Sequence, residues 1–230
     1  ILNWRGLLAS DDVGGVRVEG GRRMGSNMLR IGVLWLVAVL VVALPANASA
    51  DKGGFTTKAR QALLVAGQSG SILFSHNPDV RRPPASMSKL MTLTLMFKAL
   101  KAKKLALTDQ IVVSENAWRT GGAPSRTSSM FVPINKSASV EQMIRGLVIQ
   151  SGNDAAIAIA EHMAGSEELF AKQMDKEAQR LGLTNSTFGN ASGLPHPRQL
   201  MSARDIAILA RYLIYSLPEY YPYFAEREFQ

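Results

Sequence analysis

Apolar residues recur at helical spacing in several stretches of the chain. In residues 86–100 they nearly encircle the axis, which is typical of a helix buried in a large core. Helical spacing also predicts helices over residues 140–149, 155–163, 166–181 and 203–215. Two of these have typical boundaries, and the residues that mark them are Ser166, Gly182, Ser202 and Pro218.

Shorter apolar runs predict strands. Residues 61–66 and 71–75 flank a short polar turn and predict a β-hairpin. Residues 110–113 and 130–132 predict two further short strands around a Gly/Ser-rich loop, 120–129, which either borders a cleft or is a simple connection. A hairpin, a block of helices and isolated strands together indicate an α+β domain.

The N-terminal region has the pattern of a targeting signal and not of a folded domain. Arg30 precedes an uncharged apolar stretch, residues 31–44, and two overlapping Ala-x-Ala sites follow, so residues 28–50 are predicted to be a secretory signal peptide. The apolar stretch is shorter than the roughly 20 residues that span a bilayer, and an uncleaved anchor is the alternative. Residues 1–27 are Gly-rich and begin without Met, which indicates a misassigned start. We expect an exported protein, in the periplasm or on the outer face of the cytoplasmic membrane.

Composition excludes several kinds of chemistry. The chain has no cysteine, so disulfides and thiol catalysis are excluded. The net charge of +8 is scattered, and no basic stripe with interleaved aromatic residues predicts nucleic-acid binding. The three histidines lie far apart and fit no metal motif, so we predict neither a metal nor a cofactor. Of these, His196 is interpreted as a turn residue in the loop 183–197, with a place in the cleft as the alternative.

A serine and a lysine lie three residues apart where the helix 86–100 begins. Ser86 and Lys89 are neighbours on one helix face, and a partly desolvated lysine loses its proton more easily than a free one. Backbone N–H groups at the helix N-terminus lie where an oxyanion would form. The pair therefore fits an activated nucleophile and its base. An N-cap serine beside a solvated lysine is the alternative, and Ser88 should point away from Ser86.

A second motif makes the resemblance to a known family definite. Ser86-x-x-Lys89 followed by Ser151-Gly152-Asn153 resembles the penicillin-binding serine hydrolases, whose motifs are SxxK, SxN and KTG. The surrounding sequence, from about residue 57 onward, resembles the low-molecular-mass D-alanyl-D-alanine carboxypeptidases. This resemblance implies a β-lactamase/transpeptidase-like fold, in which helices pack on an antiparallel sheet.

The resemblance also implies a chemistry for these residues. Ser86 would attack the carbonyl between the two D-alanines of a peptidoglycan stem peptide, and Lys89 would take its proton. Ser151 would help carry a proton to the leaving D-alanine. Asn153 would bind the substrate backbone and orient the lysine. β-Lactams, which mimic the dipeptide, would acylate Ser86.

The sequence departs from the family pattern in one respect. No Lys-Thr-Gly or Lys-Ser-Gly occurs in the chain, and the nearest string, Lys136-Ser137-Ala138, precedes the Ser-x-Asn motif. We therefore interpret residues 51–230 as a partial, C-terminally truncated catalytic domain with an incomplete sheet and poor activity. A class A-like β-lactamase and an inactive fragment are the alternative functions. Asp154 is interpreted as a cap of the helix after the Ser-x-Asn motif, with contact to the site as the alternative. Asp205, in the first turn of a predicted helix, is interpreted as a residue stabilised by the helix dipole, without a catalytic role.

Overall fold

The computed structural model describes residues 56–228, so the predicted leader and signal peptide lie outside the described residues. The elements in chain order are β1 (Ala62–Val65), β2 (Ile72–His76), a 3₁₀ turn (Ala85–Ser88), α1 (Lys89–Lys101), β3 (Gln110–Val112), α2 (Glu115–Gly121), a 3₁₀ turn (Ala123–Ser125), β4 (Ser137–Ser139), α3 (Val140–Ile149), α4 (Asn153–Ala164), α5 (Glu167–Leu181), α6 (Ala203–Ser216) and a 3₁₀ segment (Pro218–Ala225). Within residues 56–228 no helix is long and apolar enough to cross a bilayer.

Helix α1 is the centre of the helical block. It packs against α3, α4, α5 and α6, and buried side chains lie all around it, as its apolar sequence predicts. Phe97, which is 1% exposed, stacks on Tyr220 with ring centroids 4.7 Å apart, so the C-terminal 3₁₀ segment covers one side of the helix. Burial of this central helix fixes the position of the motif at its N-terminal end.

The boundaries of the predicted helices agree closely with the observed ones, except at the start of α1, next to the nucleophile. Ser166 and Ser202 cap α5 and α6 through their hydroxyls, and Gly182 ends α5 with φ +74°, as predicted. Helix α1, however, begins at Lys89, and residues 85–88 form a 3₁₀ turn in which Ser86 is not a capping residue. Helix α2, capped by Ser114, was not predicted from the sequence.

The strands form two small antiparallel pairs within the described residues. β1 pairs with β2 as the predicted hairpin, whose Leu64 and Leu73 are more than half exposed. β3 pairs with β4, not with residues 130–132, so the strand predicted there is wrong. The physical reason is that the N–H groups of Met130 and Phe131 donate to the carboxylate of Asp154 instead of to a neighbouring strand.

The boundary between β4 and α3 provides a test of helix capping. The Ser139 hydroxyl accepts a hydrogen bond from Gln142 N, and the Gln142 side chain accepts one from Ser139 N. We expect Ser139→Ala to lower the free energy of unfolding by about 1 kcal/mol, measured by urea denaturation. Ser137→Ala, an exposed change two residues away, is the control. Equal stability of the two variants would contradict this role for the capping box.

Candidate active site

Ser86 lies on a strained turn. Ala85, the residue before it, has φ +51°, a left-handed conformation that is uncommon for a residue with a side chain. Two contacts hold this turn. The hydroxyl of the buried Ser88 donates to Ala85 O at 3.1 Å, and the backbone of Gly193 packs so closely that a Cβ there would lie 2.0 Å from Ala85 O. The turn leaves Ser86 exposed while Ser88 points inward, as predicted.

Lys89 lies buried beneath the exposed serine. Its amine makes three hydrogen bonds. Nζ donates to Ser86 Oγ at 3.2 Å, to Asn153 Oδ1 at 2.7 Å and to Ser192 O at 2.6 Å. The residue is only 3% exposed, so the alternative of a solvated first-turn lysine is wrong. The structure therefore brings the Ser-x-x-Lys motif and the asparagine of the Ser-x-Asn motif together at one amine.

Burial changes the acid–base properties of this amine. Desolvation lowers the pKa of Lys89 to about 8, and the negative charge of Asp154 acts in the opposite direction. At pH 7 about one tenth of the lysine is then neutral. A neutral amine has two N–H groups and one lone pair. Because Asn153 and Ser192 accept at the two shorter distances, the lone pair is left to face the Ser86 hydroxyl.

Asn153 is itself held by the Gly/Ser-rich loop, residues 120–129. Its Nδ2 donates to Thr127 Oγ1 at 2.9 Å, and its backbone N–H donates to Ser128 O at 2.8 Å. The Gly/Ser-rich loop therefore borders the site and is not a simple connection. Through these bonds the amide oxygen of Asn153 is kept directed at the lysine.

Asp154 holds the next part of the same loop. The residue is fully buried, and its carboxylate accepts from Ser129 Oγ at 2.7 Å, Met130 N at 2.8 Å and Phe131 N at 3.0 Å. Interpreting it as a helix-capping residue was therefore incomplete, because its main partners belong to a distant segment. Asp205 is also buried and binds a distant segment, accepting from Ser186 Oγ at 2.7 Å.

Ser151 is the predicted site residue that the structure does not connect to the others. It has φ +56°, and its Oγ is buried with no hydrogen-bond partner among residues 56–228. A buried hydroxyl without a partner is unusual. Its proposed role in proton transfer stays a prediction.

Sequence reasoning missed the residues that approach Lys89 from the loop 183–197. Ser192 contributes a backbone carbonyl, and a backbone group carries no signal in the residue type. In the same loop His196 is both a turn residue and a lining residue. Its Nδ1 accepts from Arg198 N, and its ring borders a cavity of about 610 Å³ together with Ala85 and Leu194. No group of His, Asp and Glu within residues 56–228 could hold a metal ion.

Comparison with known proteins agrees with this geometry. The family model described as D-alanyl-D-alanine carboxypeptidase matches residues 46–230. D-alanyl-D-alanine carboxypeptidase DacC of Escherichia coli is 44% identical over 172 residues, covering 74% of this chain and 43% of that protein. DacA of Haemophilus influenzae is 41% identical over 167 residues, covering 73% and 42%.

The fold comparison gives the same result. The crystal structure of penicillin binding protein 5 from Haemophilus influenzae superposes with a TM-score of 0.72 at 39% identity, covering 77% of this chain and 52% of that one. The fold is therefore the α+β fold of the penicillin-binding proteins. The chain spans less than half the length of the two carboxypeptidases that it matches. On both the sequence match and the fold, this chain belongs to the D-alanyl-D-alanine carboxypeptidase family.

Proposed function

We propose that the protein is a serine-type D-Ala-D-Ala carboxypeptidase that removes the terminal D-alanine from peptidoglycan stem peptides. The observation that carries the proposal is the buried Lys89 amine, which contacts Ser86 and is bound by Asn153 and Ser192. This arrangement supplies a nucleophile and a base whose pKa of about 8 is close to neutral pH. A lysine in water would be protonated too completely to act as a base.

The reaction proceeds in two halves. Neutral Lys89 takes the proton of Ser86 as Oγ attacks the carbonyl carbon of the penultimate D-alanine. The resulting ammonium returns that proton to the nitrogen of the departing D-alanine, with Ser151 as a relay, and the C–N bond breaks to leave an ester on Ser86. Water then hydrolyses the ester and regenerates the serine. General acid–base catalysis of this kind contributes about 10²- to 10⁴-fold.

β-Lactams are the proposed inhibitors, because their strained amide resembles the D-Ala-D-Ala bond and would acylate the same serine. One relative supports this proposal. Penicillin-binding protein D2 from Listeria monocytogenes, 26% identical with a TM-score of 0.63, has been solved in an ampicillin-bound form. Ser86 is exposed, and the residue before it, Ala85, lines a cavity together with Leu194, so such a ligand has access to the serine.

Acylation of Ser86 is the direct test of the proposal. In protein produced from the complete reading frame, Ser86→Ala should abolish both labelling by a fluorescent penicillin and D-alanine release from a stem peptide, and Lys89→Ala should nearly abolish them. Ser88→Ala should have a much smaller effect, because it loosens the Ala85 turn without removing a reacting group. Persistent labelling of Ser86→Ala would contradict the assignment. Rapid nitrocefin turnover would favour the β-lactamase alternative.

The lowered pKa of Lys89 predicts the pH dependence of acylation. The neutral amine is the active form, so the second-order rate of penicillin labelling should rise with pH and level off above a midpoint near the Lys89 pKa of about 8. An unperturbed lysine would place this midpoint more than two units higher, near 10.4. A rate that does not change between pH 6 and pH 9 would contradict a lysine base.

Export is a further part of the proposal, and it is supported by the apolar stretch 31–44 and the overlapping Ala-x-Ala sites. We expect cleavage after Ala48 or Ala50 and a mature protein in the periplasm or on the outer face of the membrane. N-terminal sequencing of protein recovered outside the cytoplasm measures this. An intact N-terminus at Met24 or Met28 would instead indicate an uncleaved anchor.

A further inference from the structure

Two consecutive backbone carbonyls bind the same face of helix α1. They belong to residues 190–193, which we call the acceptor loop, and the first three residues of this loop are buried. Ala191 O accepts from Thr92 Oγ1 at 2.7 Å, and Ser192 O accepts from Lys89 Nζ at 2.6 Å. Lys89 and Thr92 are three residues apart and therefore neighbours on the helix surface. The position of the acceptor loop thus decides whether the amine of Lys89 has its backbone acceptor.

The other side of the acceptor loop is held by a carboxylate. Ala191 is 0% exposed, so its N–H needs a partner within the protein. That partner is Glu167 Oε1, at 2.9 Å. Glu167 is the first residue of α5, and the hydroxyl of Ser166 caps this helix end. The capped N-terminus of α5 therefore anchors the N–H of Ala191, one residue before the carbonyl of Ser192 that binds Lys89.

The same loop also contacts the nucleophile. Gly193 packs against Ala85 O, the strained residue before Ser86. The acceptor loop is thus in contact with the base through Ser192 and with the nucleophile's turn through Gly193. A shift of this loop would disturb both groups, while leaving the Asn153 bond to Lys89 in place.

We propose that Glu167 is a positioning residue, which acts through the backbone of Ala191 and Ser192 to keep Lys89 buried and directed at Ser86. Its catalytic consequence rests on the proposed carboxypeptidase function. The effect of Glu167 on the position and burial of Lys89 does not depend on that function. Removing the acceptor would leave a buried N–H unpaired, and the loop would move to let water satisfy it. Water near Nζ would relieve the desolvation of the amine.

The charged groups near Glu167 and Lys89 determine which variants test the proposal. Burial raises the pKa of Glu167, the Ala191 hydrogen bond lowers it, nearby Glu161 raises it and His196 lowers it. For Lys89 the opposing charge is Asp154. A glutamine keeps an oxygen acceptor for Ala191 N whatever the charge state of the acid. Glu167→Gln therefore separates the hydrogen bond from the charge, while Glu167→Ala removes both.

The experiment measures the titration of Lys89 directly, and acylation in parallel. In protein produced from the complete reading frame with ¹³C-labelled lysine, the Lys89 Cε resonance is identified by its loss in Lys89→Arg and followed against pH by NMR. In Glu167→Ala the pKa of Lys89 should rise by about one unit as water reaches Nζ. The acylation midpoint should rise equally, so the labelling rate at pH 7 should fall about tenfold. Glu167→Gln should retain the wild-type values.

The control is the neighbouring residue in the same helical turn. Glu168 is exposed and pairs with Lys172 at the surface, so Glu168→Ala should leave the titration and the acylation unchanged. Simple destabilisation by Glu167→Ala would lower labelling equally at every pH without moving the midpoint. An unmoved Lys89 pKa in folded Glu167→Ala protein would overturn the proposal. A moved pKa in a protein that penicillin never acylates would refute the proposed function and leave this inference standing.

Discussion

The structure depends on taking one lysine amine out of water. An ammonium ion is expensive to bury without partners, and the protein offsets that cost only in part. Asn153 and Ser192 accept its hydrogen bonds, while the carboxylate of Asp154 lies near it but binds other groups. Incomplete compensation is what lowers the pKa of Lys89. A full salt bridge with a carboxylate would instead have raised the pKa and kept the proton on the amine.

The need for a buried, oriented amine explains why the parts around it are rigid. Helix α1 buries most of its side chains, Lys89 among them, and this packing holds the Cα of Lys89 close to its acceptors. The acceptors belong to separate elements, each fixed by its own bonds: Asn153 by Thr127 and Ser128, and Ser192 through its neighbour Ala191 by Thr92 and Glu167. The site is therefore a meeting point of several segments, and none of them could hold the amine alone.

The sequence predicted the parts of this site that depend on side-chain type or periodicity. Helical spacing identified α1 and α3 to α6, and the Ser-x-x-Lys and Ser-x-Asn motifs identified the residues that meet at Lys89. Residues 130–132 were mistaken for a strand because a carboxylate distant in sequence replaces the strand partner. Ser192 was missed because any residue type offers a carbonyl, and Glu167 because a first-turn acid is already explained by the helix dipole.

The 3₁₀ turn before α1 resolves a conflict between the two reacting groups. The nucleophile has to be exposed to substrate, whereas the base has to be buried, and yet the two must touch. With three residues per turn, a 3₁₀ turn brings side chains at i and i+3 directly into line. The exposed Ser86 can therefore contact the buried Lys89, three residues later, directly. The left-handed backbone of Ala85 leads the chain into this 3₁₀ turn. Its strain is tolerated because the Ser88 hydroxyl, in the same turn, and Gly193, in the acceptor loop, hold the carbonyl of Ala85 in place.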